Sequence, residues 1–387
     1  MKVFVLLGDG MADEPLAELE GRTPLEYAST PNMDRLAREG RCGLVSTVPD
    51  GFEPGSDVAN MGLLGFDPRR FYTGRGPLEA ASMGVDLGRD DVAYRCNLVT
   101  VEDGVMKDFS AGHISSDEGA ALLASLQETC PRVRFHPGIS YRNLLVVEGG
   151  EGDPGTPPHD IVGEPVAPHL PGGADRELLL ECMAAAEEVF RDHPVNRARR
   201  AAGRPAATGI WPWSGGKTPA FPRFCEQFGC SGGMISAVDL LNGLARLAGL
   251  EQIRVPGATG YLDTDYDAKA RYALEALERL DFVYCHVEAP DEAGHLGSIE
   301  EKVRAIERVD GMLGTIMDRF DGIIAVLPDH ATPIRIRTHT AAPVPVAVRG
   351  LGTDMTTCYS EREAEKGDLG RFEATKLLPI LLGGASG

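Results

Sequence analysis

Three short apolar runs, far apart in the chain, limit what it can fold into. Residues 3–7 (VFVLL), 281–287 (DFVYCHV) and 322–328 (GIIAVLP) are too short for buried helices and carry β-branched and aromatic residues. A run without a polar face reads as a strand covered on both sides, the pattern of a parallel sheet sandwiched by helices. Helical signals follow in turn. Thr30-Pro31 before NMDRLAREG reads as an N-cap, a first-turn proline, an apolar stripe at Met33 and Leu36, and a stop at Gly40. Ser298 and Glu301 suggest a capping box, and Val303, Ile306, Val309, Leu313 and Ile316 recur at helical spacing. Strand and helix alternate at both ends of the chain, so one α/β domain with a mostly parallel sheet is expected from two separated segments.

The middle reads differently. From about 92 to 207 the strands look antiparallel, as in FHPGISYRNLLVVE, and a helix over roughly 175–190 leads into an Arg-rich turn. The Pro- and Gly-rich stretch 148–173 reads as a surface loop of this segment. With 387 residues, 43% hydrophobic and 25% charged, the chain suits two ordinary globular domains. The expectation is a discontinuous core, 1–91 with 208–387, and an inserted α+β domain over 92–207.

A formal net charge of −20 argues against nucleic acid or an anionic membrane as partner. An anionic substrate would then need a local basic pocket. The start, MKVFVLLGDGMADE, has too short an apolar run for a signal segment or a span, and no later run is long enough. Eight cysteines without a CxxC pair suit reduced thiols, so a cytoplasmic location is expected. Oligomeric state is not legible.

Polar groups follow the apolar runs. Asp9 ends the first; Asp291 and His295 follow the second in APDEAGH; Asp329 and His330 end the third; Ser56 and His339 sit in loops. In open α/β sheets ligands bind beyond the carboxyl ends of the strands, so these groups can converge. Singly, each has a plainer reading: Asp9 suits a local DG turn, and His339 suits a structural role. Together they offer oxygen and imidazole ligands without thiolates, a set for Mn²⁺, Zn²⁺ or Mg²⁺. Asp291 and His295, four apart, share one face of a helical turn. Seven such residues are too many for one tetrahedral site and suit two ions about 4 Å apart, the arrangement that clamps attacking and leaving oxygens in phosphoryl transfer.

Ser56, in EPGSDVANMGLLG, is placed to open a helix. Its plain reading is an N-cap, and its chemical reading is a nucleophile activated by a nearby metal. Basic residues gather at Arg197, Arg199, Arg200 and Arg204, with Arg75, Arg142 and Lys217 in loops; His113 lies in SAGHISS. These are candidates for anion binding, against the plainer reading of solvated charge. WSGGKT imitates the end of a P-loop, but Trp211 stands where the first Gly belongs and Pro219 blocks the helix, so no nucleotide site of that kind is inferred.

Taken together, GDGMAD, TPNMDRLAREG, PGSDVANMGLLGFDP, YTGRGPLEAASMGV, SAGHISS, SYRNLL, ATGYLDT, APDEAGH, PDHATP and RTHTAAPVPV resemble the shorter branch of cofactor-independent phosphoglycerate mutases, within the alkaline phosphatase superfamily. The likeness spans nearly the whole chain. It implies an alkaline-phosphatase-like core with an inserted cap. It also implies one ion on Asp291, His295 and His339 and another on Asp9, Ser56, Asp329 and His330, with Mn²⁺ first and no 2,3-bisphosphoglycerate. Ser56 is then both ligand and phosphate acceptor. His113, Arg142 and Arg197 or Arg199 from the cap, with Arg75 and Lys217, would hold the substrate's phosphate and carboxylate. The implied reaction carries phosphate from 3-phosphoglycerate onto Ser56 and back to the 2-position of the retained glycerate, with cap closure to exclude water. LPDHATP and EAPDEAGH depart from many relatives and resemble a subgroup proposed as homoserine kinases, which would use the same Ser56 and metals. A metal-dependent phosphatase is the third reading.

Overall fold

The computed structural model describes residues 2–383. The chain divides into two compact units, one of Met1–Tyr72 and Phe221–Gly387, the other of Thr73–Ala220.

The first unit is built on an eight-stranded sheet in the order Gly370–Glu373, Gly40–Ser46, Val344–Arg349, Ile323–Leu327, Val3–Gly8, Phe282–Val287, Gly232–Ile235, Glu251–Gln252. Val344–Arg349 runs antiparallel to both neighbours, and every other pairing is parallel. At the centre, Val3–Gly8 lies between Phe282–Val287 and Ile323–Leu327, and Leu7 pairs with both His286 and Leu327. These are the three apolar runs of the sequence, and every residue of the three strands is buried. Alternate side chains feed two cores: Phe4 and Leu6 meet Met33, Leu36, Ile306 and Leu313 on one face, while Val5 and Leu7 meet Met61, Phe66 and Leu244 on the other. The parallel order leaves the carboxyl ends of the three central strands side by side, with Asp9, Glu288 and Asp329 just beyond them.

The helix starts are only partly as expected. Pro31–Arg38 forms, yet Thr30 makes no side-chain cap. Asp310, from the long helix Ile299–Met317, takes that duty by accepting from Asn32 N at 3.0 Å and Met33 N at 2.7 Å. A tertiary carboxylate at a helix N-terminus satisfies free N–H groups as a local cap would. Ser298 does cap Ile299–Met317, accepting from Glu301 N.

The second unit is a five-stranded antiparallel sheet, Val105–Asp108, Val92–Glu102, Arg142–Val147 and Val133–Ile139 in order, with Gly209–Lys217 also paired to Val92–Glu102. Helices Ser116–Thr129 and Arg176–Arg191 contribute Leu122, Leu126, Leu179 and Phe190 to its core, which makes it α+β. Its limits are wider than the expected 92–207. The strand Gly209–Lys217 belongs to this sheet, and helix Gly76–Met83 places Ala80 against Ala93, Leu144 and Val146. The WPWSGGK segment hides as a strand because its glycines serve close packing: a Cβ at Gly216 would collide with the Thr73 carbonyl. Among the described residues, no helix is long and apolar enough to cross a membrane.

Candidate metal centre and active site

Every expected metal ligand lies in the first unit, and the carboxyl edge of its sheet brings them together. Asp9 follows Val3–Gly8; Asp329 and His330 follow Ile323–Leu327; Asp291 and His295 lie in helix Ala289–Leu296, which starts just after Phe282–Val287. Ser56 opens helix Ser56–Leu63 after Gly55. The sequence reading of Ser56 at a helix N-terminus and of Asp291 and His295 on one helix face matches this geometry.

Two groups form. In one, His330 Nε2 lies 3.1 Å from Ser56 Oγ, 3.4 Å from Asp9 Oδ1 and 3.6 Å from Asp329 Oδ2. In the other, Asp291 Oδ2 is 3.1 Å from His295 Nε2, Asp291 Oδ1 is 3.4 Å from His339 Nε2, and the two imidazole nitrogens are 3.0 Å apart. His330 is also close enough to Asp291 and His339 to share an ion with them.

Electrostatics call for a cation here. Asp9, Asp291 and Asp329 are buried, and Glu288 nearly so. Burial, then the charges of Asp329, Asp291 and Glu288, hold the Asp9 carboxyl well above its usual range. Burial and the Asp291 and Asp329 charges push Glu288 up to about 8. Asp291 resists burial and stays well below the usual range because His295 and His339 donate to it; in return Asp291 lifts His295 to about 9. Burial lowers His330, favouring a neutral imidazole, the form that ligates metals. Both Asp9 oxygens lack a hydrogen-bond partner. A buried carboxylate with empty lone pairs takes a proton or a cation, and oxygen and imidazole donors at these spacings fit divalent ions.

Other groups, not singled out in the sequence, hold the ligands. Asn60 Nδ2 donates to Asp329 Oδ2 and to the Ser56 carbonyl, each at 2.8 Å, while Tyr284 OH donates to Asn60 Oδ1 at 2.6 Å. Thr332 Oγ1 donates to Asp291 Oδ1 and lies 3.2 Å from His330 Nδ1. The sequence held a signal for one missed residue, since His286 is a titratable side chain inside an otherwise apolar strand. Nothing local pointed to Asn60 or Thr332, whose roles arise from tertiary packing.

The second unit sorts the expected anion-binding residues. The exposed His113 ring packs edge-on to Tyr141, and the Arg142 guanidinium lies 5.8 Å from the same Tyr141 ring. Arg95, missed in sequence, sits near Arg75 and Arg142; burial first, then those two cations, lower its pKa, against the opposing pull of Glu79. Lys217 ends its strand, and its carbonyl accepts from Thr73 Oγ1. Arg199 needs correction as an anion binder. Arg197 is exposed, and its Nη1 donates to the Asp192 carbonyl at 2.9 Å, just beyond the end of helix Arg176–Arg191. Arg199 is only 1% exposed and is spent on Pro205 O, Glu118 Oε2, Ala111 O and Gly112 O. It ties down the loop that presents His113. The Arg-rich run concealed this because position along a helix, not composition, decides which Arg turns inward.

A family model described as 2,3-bisphosphoglycerate-independent phosphoglycerate mutase matches residues 37–196. A relative of that name from Methanothrix thermoacetophila is 51% identical, covering 99% of this chain and all of its own length. A second, from Methanothermobacter thermautotrophicus, is 54% identical over 99% of this chain and 97% of its own. Among solved structures, a Pyrococcus horikoshii protein superposes with a TM-score of 0.86 at 33% identity, covering 100% of this chain and 98% of its own. The cofactor-independent phosphoglycerate mutase of Thermoplasma acidophilum gives 0.68 at 29% identity, with full coverage of both chains. The chain therefore belongs to the 2,3-bisphosphoglycerate-independent phosphoglycerate mutase family.

Proposed function

We propose that this protein interconverts 3-phosphoglycerate and 2-phosphoglycerate through a phosphoserine at Ser56. The observation that carries the reading is Ser56 Oγ, 3.1 Å from His330 Nε2 at the first turn of a helix and beside the buried ligand cluster. Asp9, Ser56, Asp329 and His330 would hold one divalent ion, and Asp291, His295 and His339 a second; oxygen and imidazole donors without thiolates suit Mn²⁺, Zn²⁺ or Mg²⁺. When bound, such ions lower the serine pKa and offset charge on the transferring phosphoryl group.

The rest falls to the chain. Ser56 Oγ attacks phosphorus; the Oγ–P bond forms as the bond to O3 of the substrate breaks, and the proton lost by Ser56 is balanced by the one gained at O3. The free N–H groups at the start of Ser56–Leu63 and the helix dipole favour the phosphoserine. Glycerate stays bound and turns, its O2 attacks phosphorus, and Ser56 is regenerated. Asn60 fixes the Ser56 carbonyl relative to Asp329, which keeps the nucleophile in register with the ligands. Arg75, His113, Arg142 and Lys217, with Arg95 near Arg75 and Arg142, are proposed to hold the substrate carboxylate and phosphate. Arg197, exposed on its helix, remains a candidate for that set, and the buried Arg199 is not in it.

The phosphate parked on Ser56 returns to the same glycerate, so no bisphosphorylated cofactor enters the balance. Relatives over the full chain carry the mutase name, which does not favour a homoserine kinase. All eight cysteines are free, in keeping with a cytoplasmic setting. The test is substrate-derived phosphate on the protein: brief incubation with 3-[³²P]phosphoglycerate and acid quench should label the wild type at Ser56 and leave Ser56→Ala unlabelled. Turnover retained by Ser56→Ala would overturn the mechanism.

A further inference from the structure

A cavity of about 390 Å³ lies beyond the carboxyl ends of two outer strands, Gly40–Ser46 and Gly370–Glu373, which pair in parallel with Ser46 opposite Glu373. All its lining residues belong to the first unit, and none of the proposed metal ligands is among them. The volume is that of a small-molecule site, and the carboxyl edge of an α/β sheet is where such sites form.

Thr47, on the cavity wall, is 2% exposed, and its hydroxyl is buried without a hydrogen-bond partner. A buried hydroxyl left unpaired in the chain calls for a partner from outside it. Arg371 lines the same cavity. Its Nε is held by Ser46 Oγ at 3.0 Å, while its Nη1 and Nη2 have no hydrogen-bonding or charged partner among the described residues. An exposed arginine alone would be ordinary surface charge; this one is anchored by its Nε, with its two outer nitrogens left for the paired oxygens of a carboxylate or phosphate. The other cation on the wall, Arg69, is already spent on Asp67 at 3.0 Å and Glu373 at 2.7 Å. Asp50, also lining the cavity, offers an acceptor for a hydroxyl.

The cavity is joined to the nucleophile through the chain itself. Residues 49–52 line it and lead directly to Gly55 and Ser56. Phe52 packs edge-on to Tyr72, whose hydroxyl donates to Asp57 Oδ2 at 2.6 Å, one residue past Ser56.

We propose that this cavity binds a small carboxylate or phosphate ester bearing a free hydroxyl, with Arg371 holding the oxyanion and Thr47 a polar oxygen, and that its occupant steadies the loop leading to Ser56. The site does not depend on the mutase reading.

The experiment is hydrogen–deuterium exchange of the full-length, metal-stripped protein, titrated with D-glycerate or, separately, glycerol 3-phosphate. Stripping the metal removes anion binding through the catalytic ions. Wild type should gain saturable protection in segments 46–55 and 371–375. A response to glycerate alone assigns the oxyanion as carboxylate, and one to glycerol 3-phosphate alone assigns it as phosphate. Arg371→Met should weaken the apparent affinity by about tenfold or more, and the near-isosteric Thr47→Val by about fivefold. Circular dichroism checks that both variants are folded. No protection of these segments by either probe would overturn the site. So would unchanged affinity in folded Arg371→Met and Thr47→Val, which would place the anion elsewhere.

Discussion

Asn60 Nδ2 lies 2.8 Å from Asp329 Oδ2 and 2.8 Å from the Ser56 carbonyl, so one buried amide ties a proposed metal ligand to the proposed nucleophile. The Tyr284 hydroxyl fixes that amide from below. Groups that orient metal ligands are commonly worth 10- to 100-fold in affinity or activity. Asn60→Ala is therefore expected to weaken Mn²⁺ binding by about tenfold or more, measured by competition with a fluorescent chelator. Unchanged affinity in a folded variant would remove Asn60 from the account.

Loss of a ligand should be more severe. Asp329→Asn removes a charge from the group around His330 and is expected to release at least one ion, read by elemental analysis of the desalted protein. Stripping all metal from the wild type with a chelator should lower its melting temperature, because the clustered carboxylates Asp9, Glu288, Asp291 and Asp329 lose their counter-charge. A stripped protein that melts at the same temperature would argue against metal at these groups.

Arg142 and Arg199 should separate binding from folding. Arg142, exposed beside Tyr141, is expected on truncation to Ala to raise KM for 3-phosphoglycerate by about tenfold or more with little change in melting temperature. Arg199→Ala should instead destabilise the fold by about 3 kcal/mol or more, since it leaves Glu118 and three loop carbonyls without their buried partner. Equal melting temperatures for the two variants would contradict this division.

Glu361 gives a pH signature away from the ligands. Burial pushes its carboxyl up to about 7, while it accepts from Asp13 N at 3.1 Å and Thr23 Oγ1 at 2.8 Å. A carboxyl whose folded pKa is raised contributes stability below its unfolded pKa and loses it as pH rises through the folded value. Relative to Glu361→Gln, the wild type should lose roughly 3 kcal/mol between pH 4.5 and 7 and show little further change above that. Chemical denaturation across that range reads the difference. A gap independent of pH would show that Glu361 does not titrate there.

Much of this was legible in the sequence, for identifiable reasons. The three central strands announced themselves because a strand buried on both faces is an almost unbroken apolar run, and Asp9, Asp329 and His330 were found because they end such runs. Ser56 and the Asp291–His295 pair followed from local helix rules. What failed depended on distant contacts. Asp310 displaced Thr30 as the cap of Pro31–Arg38, and Gly209–Lys217 joined the second unit's sheet through pairing with Val92–Glu102 that its Gly, Pro and Trp content concealed. Arg199 looked like a surface cation until its partners on the 111–112 loop and Glu118 were in view. Asn60 acquires its contacts only when elements far apart in sequence are placed side by side.

The most direct test of the central claim is ³¹P nuclear magnetic resonance of 3-phosphoglycerate incubated with Mn²⁺-loaded protein, without nucleotide or 2,3-bisphosphoglycerate. The account predicts that the 2-phosphoglycerate signal grows to equilibrium with no inorganic phosphate, and that Ser56→Ala leaves the spectrum unchanged. Release of inorganic phosphate alone, or no reaction until ATP and an acceptor alcohol are added, would contradict it.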